Sequence, residues 1–158
     1  MSDTYVQILL QSLTKKEQVL KEIIRLDEQQ KAQLEDEMCL VEDFDETVEA
    51  KAKCIEQLEQ LDSGFQEVYD RVSEEFKDNR EAYADDIRKM KEKIRSLTDL
   101  SVEIQAQEAC NKELMTKKFS DVKKKTRGFR TNGRAVNEYY KNMMKLNNVD
   151  PQFMDNKN

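Results

Sequence analysis

Residues that break helices are almost missing from this chain. Its one proline is Pro151, and no glycine precedes Gly64. Without breakers, a chain with helical apolar spacing runs on as long helices. Val6, Leu10, Leu13, Leu20, Ile24, Leu34, Met38 and Val41 recur at threes, fours and sevens, one face of a helix. Phe44, Val48, Ile55, Leu58, Phe65, Val68, Val72 and Phe76 continue the pattern, and Gly64 does not shift its phase. A third run comprises Ile87, Met90, Ile94, Leu97, Ile104, Met115 and Val122.

Composition supports narrow helices over a deep core. Apolar residues make up 37% of the 158 and charged residues 38%, whereas ordinary globular domains are roughly 45–50% apolar. The chain also lacks the Pro, Gly and Ser enrichment of disordered segments. Helices that each bury one stripe fit both constraints. Thr4 and Gln7 have the spacing of a capping box at a helix start. Glu17–Lys21, Asp27–Lys31, Glu49–Lys53 and Glu67–Arg71 have the i,i+4 spacing that supports a wet helix face, at about 0.2–0.5 kcal/mol per pair.

Three boundaries follow. Residues 35–46, EDEMCLVEDFDE, hold seven acids in twelve, and like charges at i,i+4 weaken a helix. A bend belongs there, with Asp43 and Glu46 suited to capping the next helix. Asp78 and Asn79 in KDNREAYADD are turn formers. The third helix should end by Gly128, where Lys123, Lys124, Lys125 and Arg127 complement the negative end of its dipole. The expected fold is all-α: three long antiparallel, coiled-coil-like helices over 1–127, then a basic, partly flexible extension over 128–158. Pairing two copies would bury more surface, so a homodimer is an expected partner.

The third stripe has polar members, Ser101, Glu108 and Asn111. They fit either a wet, weakly packed interface or a groove left for a partner. Chemistry is otherwise sparse. The chain has no histidine, hence no imidazole base. No glycine-rich phosphate loop is present, and the acidic run lacks the spacing of a calcium loop. Cys39, Cys54 and Cys110 form no metal or disulfide pattern. No enzyme, cofactor or metal site is expected. The start, MSDTYVQILLQSL, lacks a basic region and a long apolar run, and no segment approaches the ~18 apolar residues of a membrane span. A soluble cytoplasmic protein is expected.

Charge is unevenly spread. From Lys112 to Asn158 there are twelve Lys/Arg and five Asp/Glu, a net +7, leaving −13 of the total −6 on residues 1–111. Lys123 to Arg134 carry six cations and no acid, and Val136, Tyr139, Tyr140, Met143 and Met144 follow. Nucleic-acid binding would use those cations with Phe129 and the tyrosines, but the acidic remainder repels a polyanion. The span from Ala135 to Met144 is too short for an amphipathic membrane helix. Methionine and tyrosine suit adaptable protein contacts, which leaves protein capture or a self-satisfied scaffold.

QILLQSLTKKEQVLKEIIRLDEQQKAQL, AKAKCIEQLEQLDSGFQEVYDRV, SVEIQAQEACNKELMTKKFSDVKKK and the terminal NEYYKNM together resemble the FlgN-type flagellar export chaperones. These are broadly similar to FliT-type chaperones. The resemblance covers most of residues 5–144. It implies a cytoplasmic protein that uses no ATP and binds the amphipathic C-terminal helix of FlgK- and FlgL-like hook–filament junction proteins. Such a chaperone prevents premature assembly and delivers its client to the export gate. The implied partner site lies in the C-terminal half, on Ile104, Leu114, Met115, Phe119 and Val122, then Phe129, Val136, Tyr139, Tyr140, Met143 and Met144. Tyr139 or Tyr140 matches a family tyrosine linked to the export gate. The acidic first half and KKKTRGFR have no secure counterpart in the family pattern.

Overall fold

A computed structural model describes the backbone of residues 2–125 and the side chains of residues 4–120. Helix α1 spans Ser2–Glu35, α2 Val41–Asp78 and α3 Ala84–Lys125. At about 1.5 Å per residue these helices run roughly 50–60 Å. α1 packs closely on both of the others. Its direction relative to each is fixed by side-chain pairs. Ser12 reaches the carbonyl of Leu61, Lys16 reaches Asp62 and Gln30 reaches Thr47, so α2 runs antiparallel to α1. Lys93 reaches Glu17 and Lys118 reaches the carbonyl of Gln33, so α3 runs parallel to α1. The expected all-α bundle of three long helices is observed.

The seams follow alternating steps of three and four. In α1 the buried residues are Val6, Leu9, Leu13, Lys16, Leu20, Ile23, Leu26, Asp27 and Gln30. All but Leu26 fall on one heptad frame, the narrow stripe of a coiled coil. This corrects the sequence stripe: Leu10 and Ile24 are only half-buried beside it. In α3, Met90, Ile94, Leu97, Ile104, Glu108, Asn111 and Met115 keep the same frame. In α2, Phe65, Tyr69, Phe76 and, beyond its end, Tyr83 form an aromatic ladder with centroid spacings of 6.2, 6.3 and 5.1 Å. Tyr83 meets Phe76 edge-on, a favoured geometry that pins the α2–α3 turn to the core.

The bend expected within 35–46 is a turn at residues 36–40. Asp36 accepts the Met38 N–H at 2.9 Å, a local bond that competes with helix continuation. Met38 and Val41, assigned to the first stripe from sequence, are exposed here. Capping differs from expectation. α1 already starts at Ser2, so Thr4 lies inside it. The N-cap of α2 is Leu40, without a side-chain cap bond, while Glu42 and Asp43 sit in its first turn, where the dipole favours acids. The boundary at Asp78 and Asn79 is as expected. Gly128 and the whole 128–158 extension lie outside the described residues.

Gly64 is exposed within α2, and a Cβ there would meet nothing within 4 Å. Its backbone is ordinary right-handed helix, so the position carries only the entropic cost of glycine. Gly64→Ala should therefore stabilise the fold by about 0.5–1 kcal/mol. Urea unfolding would read this as a higher midpoint at unchanged slope.

Candidate functional site

Two of the three polar members of the third stripe face neither water nor an empty groove, while Ser101 is half-buried and donates to the Leu97 carbonyl. Glu108 and Asn111 are buried, at 6% and 0% exposure, in a layer spanning all three helices. At its centre is Lys51 of α2, fully buried. Its Nζ stands 2.5 Å from Asp27 Oδ1 of α1 and donates to Glu108 Oε1 of α3 and, at 2.9 Å, to Gln30 Oε1. Gln30 and Glu108 thus accept two protons of the ammonium, and Asp27 Oδ1 meets it as an ion pair. Gln30 Nε2 in turn donates to Thr47 Oγ1 at 3.2 Å, and Thr47 donates to the Phe44 carbonyl at 2.6 Å. Asn111 Nδ2 donates to the Asp27 carbonyl at 2.9 Å and accepts from Gln107 at 3.0 Å. The layer is a connected network.

Two carboxyls around one buried ammonium leave an excess negative charge. Burial pushes the Glu108 carboxyl up to about 8, the neighbouring Asp27 carboxyl adds to the rise, and the Lys51 charge opposes it. A proton on Glu108 removes the excess. In an open cleft such a carboxyl would suggest an acid catalyst. Here every member of the charged triad is enclosed between helices, so its physical effect is on helix register.

Other polar contacts lie along the same seams. Lys16 and Asp62 meet at 2.7 Å between α1 and α2; burial raises the Asp62 carboxyl against the pull of Lys16. Lys93 bonds Glu17 at 2.8 Å between α3 and α1 and, with Lys21, holds Glu17 below the usual carboxylate range. Asp27, spaced for an i,i+4 pair with Lys31, turns inward to Lys51 instead. Lys118 Nζ donates to the carbonyls of Gln33 and Asp36 at 3.2 and 2.9 Å. α1 has no basic residue in its last turn, so α3 supplies the cation its dipole favours.

The proposed partner residues separate into three sets. Ile104 and Met115 are core residues, each 1% exposed, and are not offered to a partner in this arrangement. Phe119 is half-buried against the same core. Leu114 lies on another side of α3, in a shallow open groove with Gln107, Cys110 and Lys117 opposite Lys31 and Glu35 of α1. Val122 belongs to α3, but its side chain lies outside the described residues. So do Phe129, Val136, Tyr139, Tyr140, Met143 and Met144. The sequence reading missed Lys51 and Asp27 as members of a site. The signal was present: both fall on the heptad frames, where a charge requires a partner.

Removing one member should cost far more than removing all three. Lys51→Ala leaves two buried carboxyls without their cation and should destabilise by about 3–5 kcal/mol. The triple change Asp27→Leu, Lys51→Met, Glu108→Leu should recover most of that loss in urea titrations. A pH dependence follows as well. Glu108 rises from 4.5 to about 8 on folding, so between those values the folded chain holds more protons than the unfolded one. Stability therefore falls as pH rises through that window, at up to about 1.4 kcal/mol per pH unit for one proton. Glu108→Gln should flatten the slope over pH 5–8, measured by thermal melts across the range.

No helix of the described residues is long and apolar enough to cross a membrane. No curated protein and no solved structure matches the chain. The family model described as FlgN protein matches residues 1–145, which takes in all three helices and the basic, tyrosine-bearing segment after them. The chain therefore belongs to the FlgN family, the flagellar export chaperones.

Proposed function

We propose that this protein is a cytoplasmic chaperone for hook–filament junction subunits of the FlgK and FlgL kind. It binds their amphipathic C-terminal helix, prevents premature assembly and delivers them to the export gate without catalysis of its own. The observation that carries this reading is the family match, which extends through residue 145 and so past the bundle into the basic, aromatic segment.

The arrangement of α3 bears on where a client helix docks. Ile104 and Met115 are committed to the core, so their use by a client requires α3 to part from α1. Among the described residues, Leu114 and its groove are available without such opening; Phe129, Val136, Tyr139, Tyr140, Met143 and Met144 lie outside them. Helix-in-groove recognition needs apolar anchors at spacings of three and four. Val136, Tyr139, Tyr140, Met143 and Met144 have that spacing.

Isothermal titration of the full chain with the C-terminal helices of junction proteins, and with a scrambled helix, tests the reading. One client should bind saturably. A chain ending at residue 127 should keep its helical circular dichroism and bind at least tenfold more weakly, a loss of about 1.4 kcal/mol or more. Heat from none of the helices, with the protein folded, would favour the second reading. That reading is a scaffolding coiled coil, and the closed seam through Ile104 and Met115 supports it.

A further inference from the structure

The α1–α2 turn carries two properties seldom found together on a surface. Met38, Leu40 and Val41 are 85%, 62% and 43% exposed. They stand within the seven acids of residues 35–46. The core does not use these apolar side chains, and the acids around them present a strongly negative rim.

Lys118 of α3 binds the carbonyls of Gln33 and Asp36, which sets α3 level with this turn. From Lys118 the helix continues to Lys125, about 10 Å further along its axis. The adjoining stretch, Lys123 to Arg134, holds six cations, no acid and one large apolar residue, Phe129. Four residues from Lys125 to Phe129 reach about 13–14 Å when extended. With packed helices about 8–10 Å apart, the return to the turn is about 13–14 Å, which the extended stretch and the Phe129 side chain span.

We propose that residues 126–134 dock on the α1–α2 turn of their own chain. Phe129 packs on Met38, Leu40 and Val41, and Arg127 and Arg130 face Glu35, Glu37, Glu42 and Asp43. Charge sign, apolar match and tether length agree on this occupant. A second copy or a separate basic peptide matches the charge as well, but neither begins within reach of the turn. The docking stands independently of the chaperone reading, since it concerns one chain without a client.

A nitroxide at Thr131→Cys tests this, in a full chain with Cys39→Ser and Cys110→Ser; Cys54 is buried and is not labelled. In low salt, amide signals of residues 36–43 should be lost to paramagnetic broadening. They should return in about 1 M salt, where screening shortens to ~3 Å, and on Phe129→Ala. Intact signals in low salt would overturn the proposal. So would broadening that survives both salt and Phe129→Ala, which reports mere tethering. Broadening seen only between labelled and isotope-enriched copies in a mixture would assign the turn to a second copy instead.

Discussion

The burial of the Lys51 ammonium is the constraint that the arrangement of the three helices satisfies. A cation in a helical core is tolerable only where carboxylates and amide oxygens converge on it. Asp27 and Gln30 come from α1 and Glu108 from α3, so the network forms only when all three helices meet at one level. A slide of one heptad leaves most apolar contacts replaceable by similar ones. It takes the polar partners from Lys51, bringing Leu20 and Ile23 of α1, or Ser101 or Met115 of α3, into their places. Hydrophobic seams drive the association, and the polar layer selects one register from the many such seams allow.

That layer also divides the bundle. Toward the α2–α3 turn the core is aliphatic and aromatic, closed by Phe65, Tyr69, Phe76 and Tyr83. Beyond the layer, toward the α1–α2 turn, Met115 is the last fully buried apolar residue of α3 among the described residues, and polar contacts through Gln30, Thr47 and Lys118 follow. Apolar burial thins toward the end from which the basic segment departs. Local openings draw on regions with few buried apolar contacts. Among the described residues, the end at which α3 terminates is therefore the end least held by the core.

Much of the fold was readable because helix formation in this chain is local. The absence of breakers and the apolar recurrence point to long helices, the acidic run at 35–46 marks the first turn, and Asp78 and Asn79 mark the second. The errors were of phase and partner. Leu10 and Ile24 were assigned to the seam where Leu9 and Ile23 sit, since a stripe with neighbouring apolar residues fits frames one residue apart. Thr4 was read as a cap because capping chemistry is recognisable in a helix interior too. Asp27 was given to Lys31 because sequence shows the partner on its own helix and not the one across the bundle.

Sequence by itself determined an elongated helical protein: too polar for a deep core, too poor in glycine and proline to turn often, with its net positive charge gathered from Lys112 onward. Those properties depend on near neighbours along the chain. Tertiary structure alone decided which polar residues are buried. Glu108 and Asn111 read as wet or vacant positions in the sequence, because a charge on a seam normally seeks water. What reversed that was Lys51, fifty-seven residues away from Glu108 and brought toward it by the α2–α3 turn. A buried charge is tolerable only with its partners in place, and only the packed helices put them there.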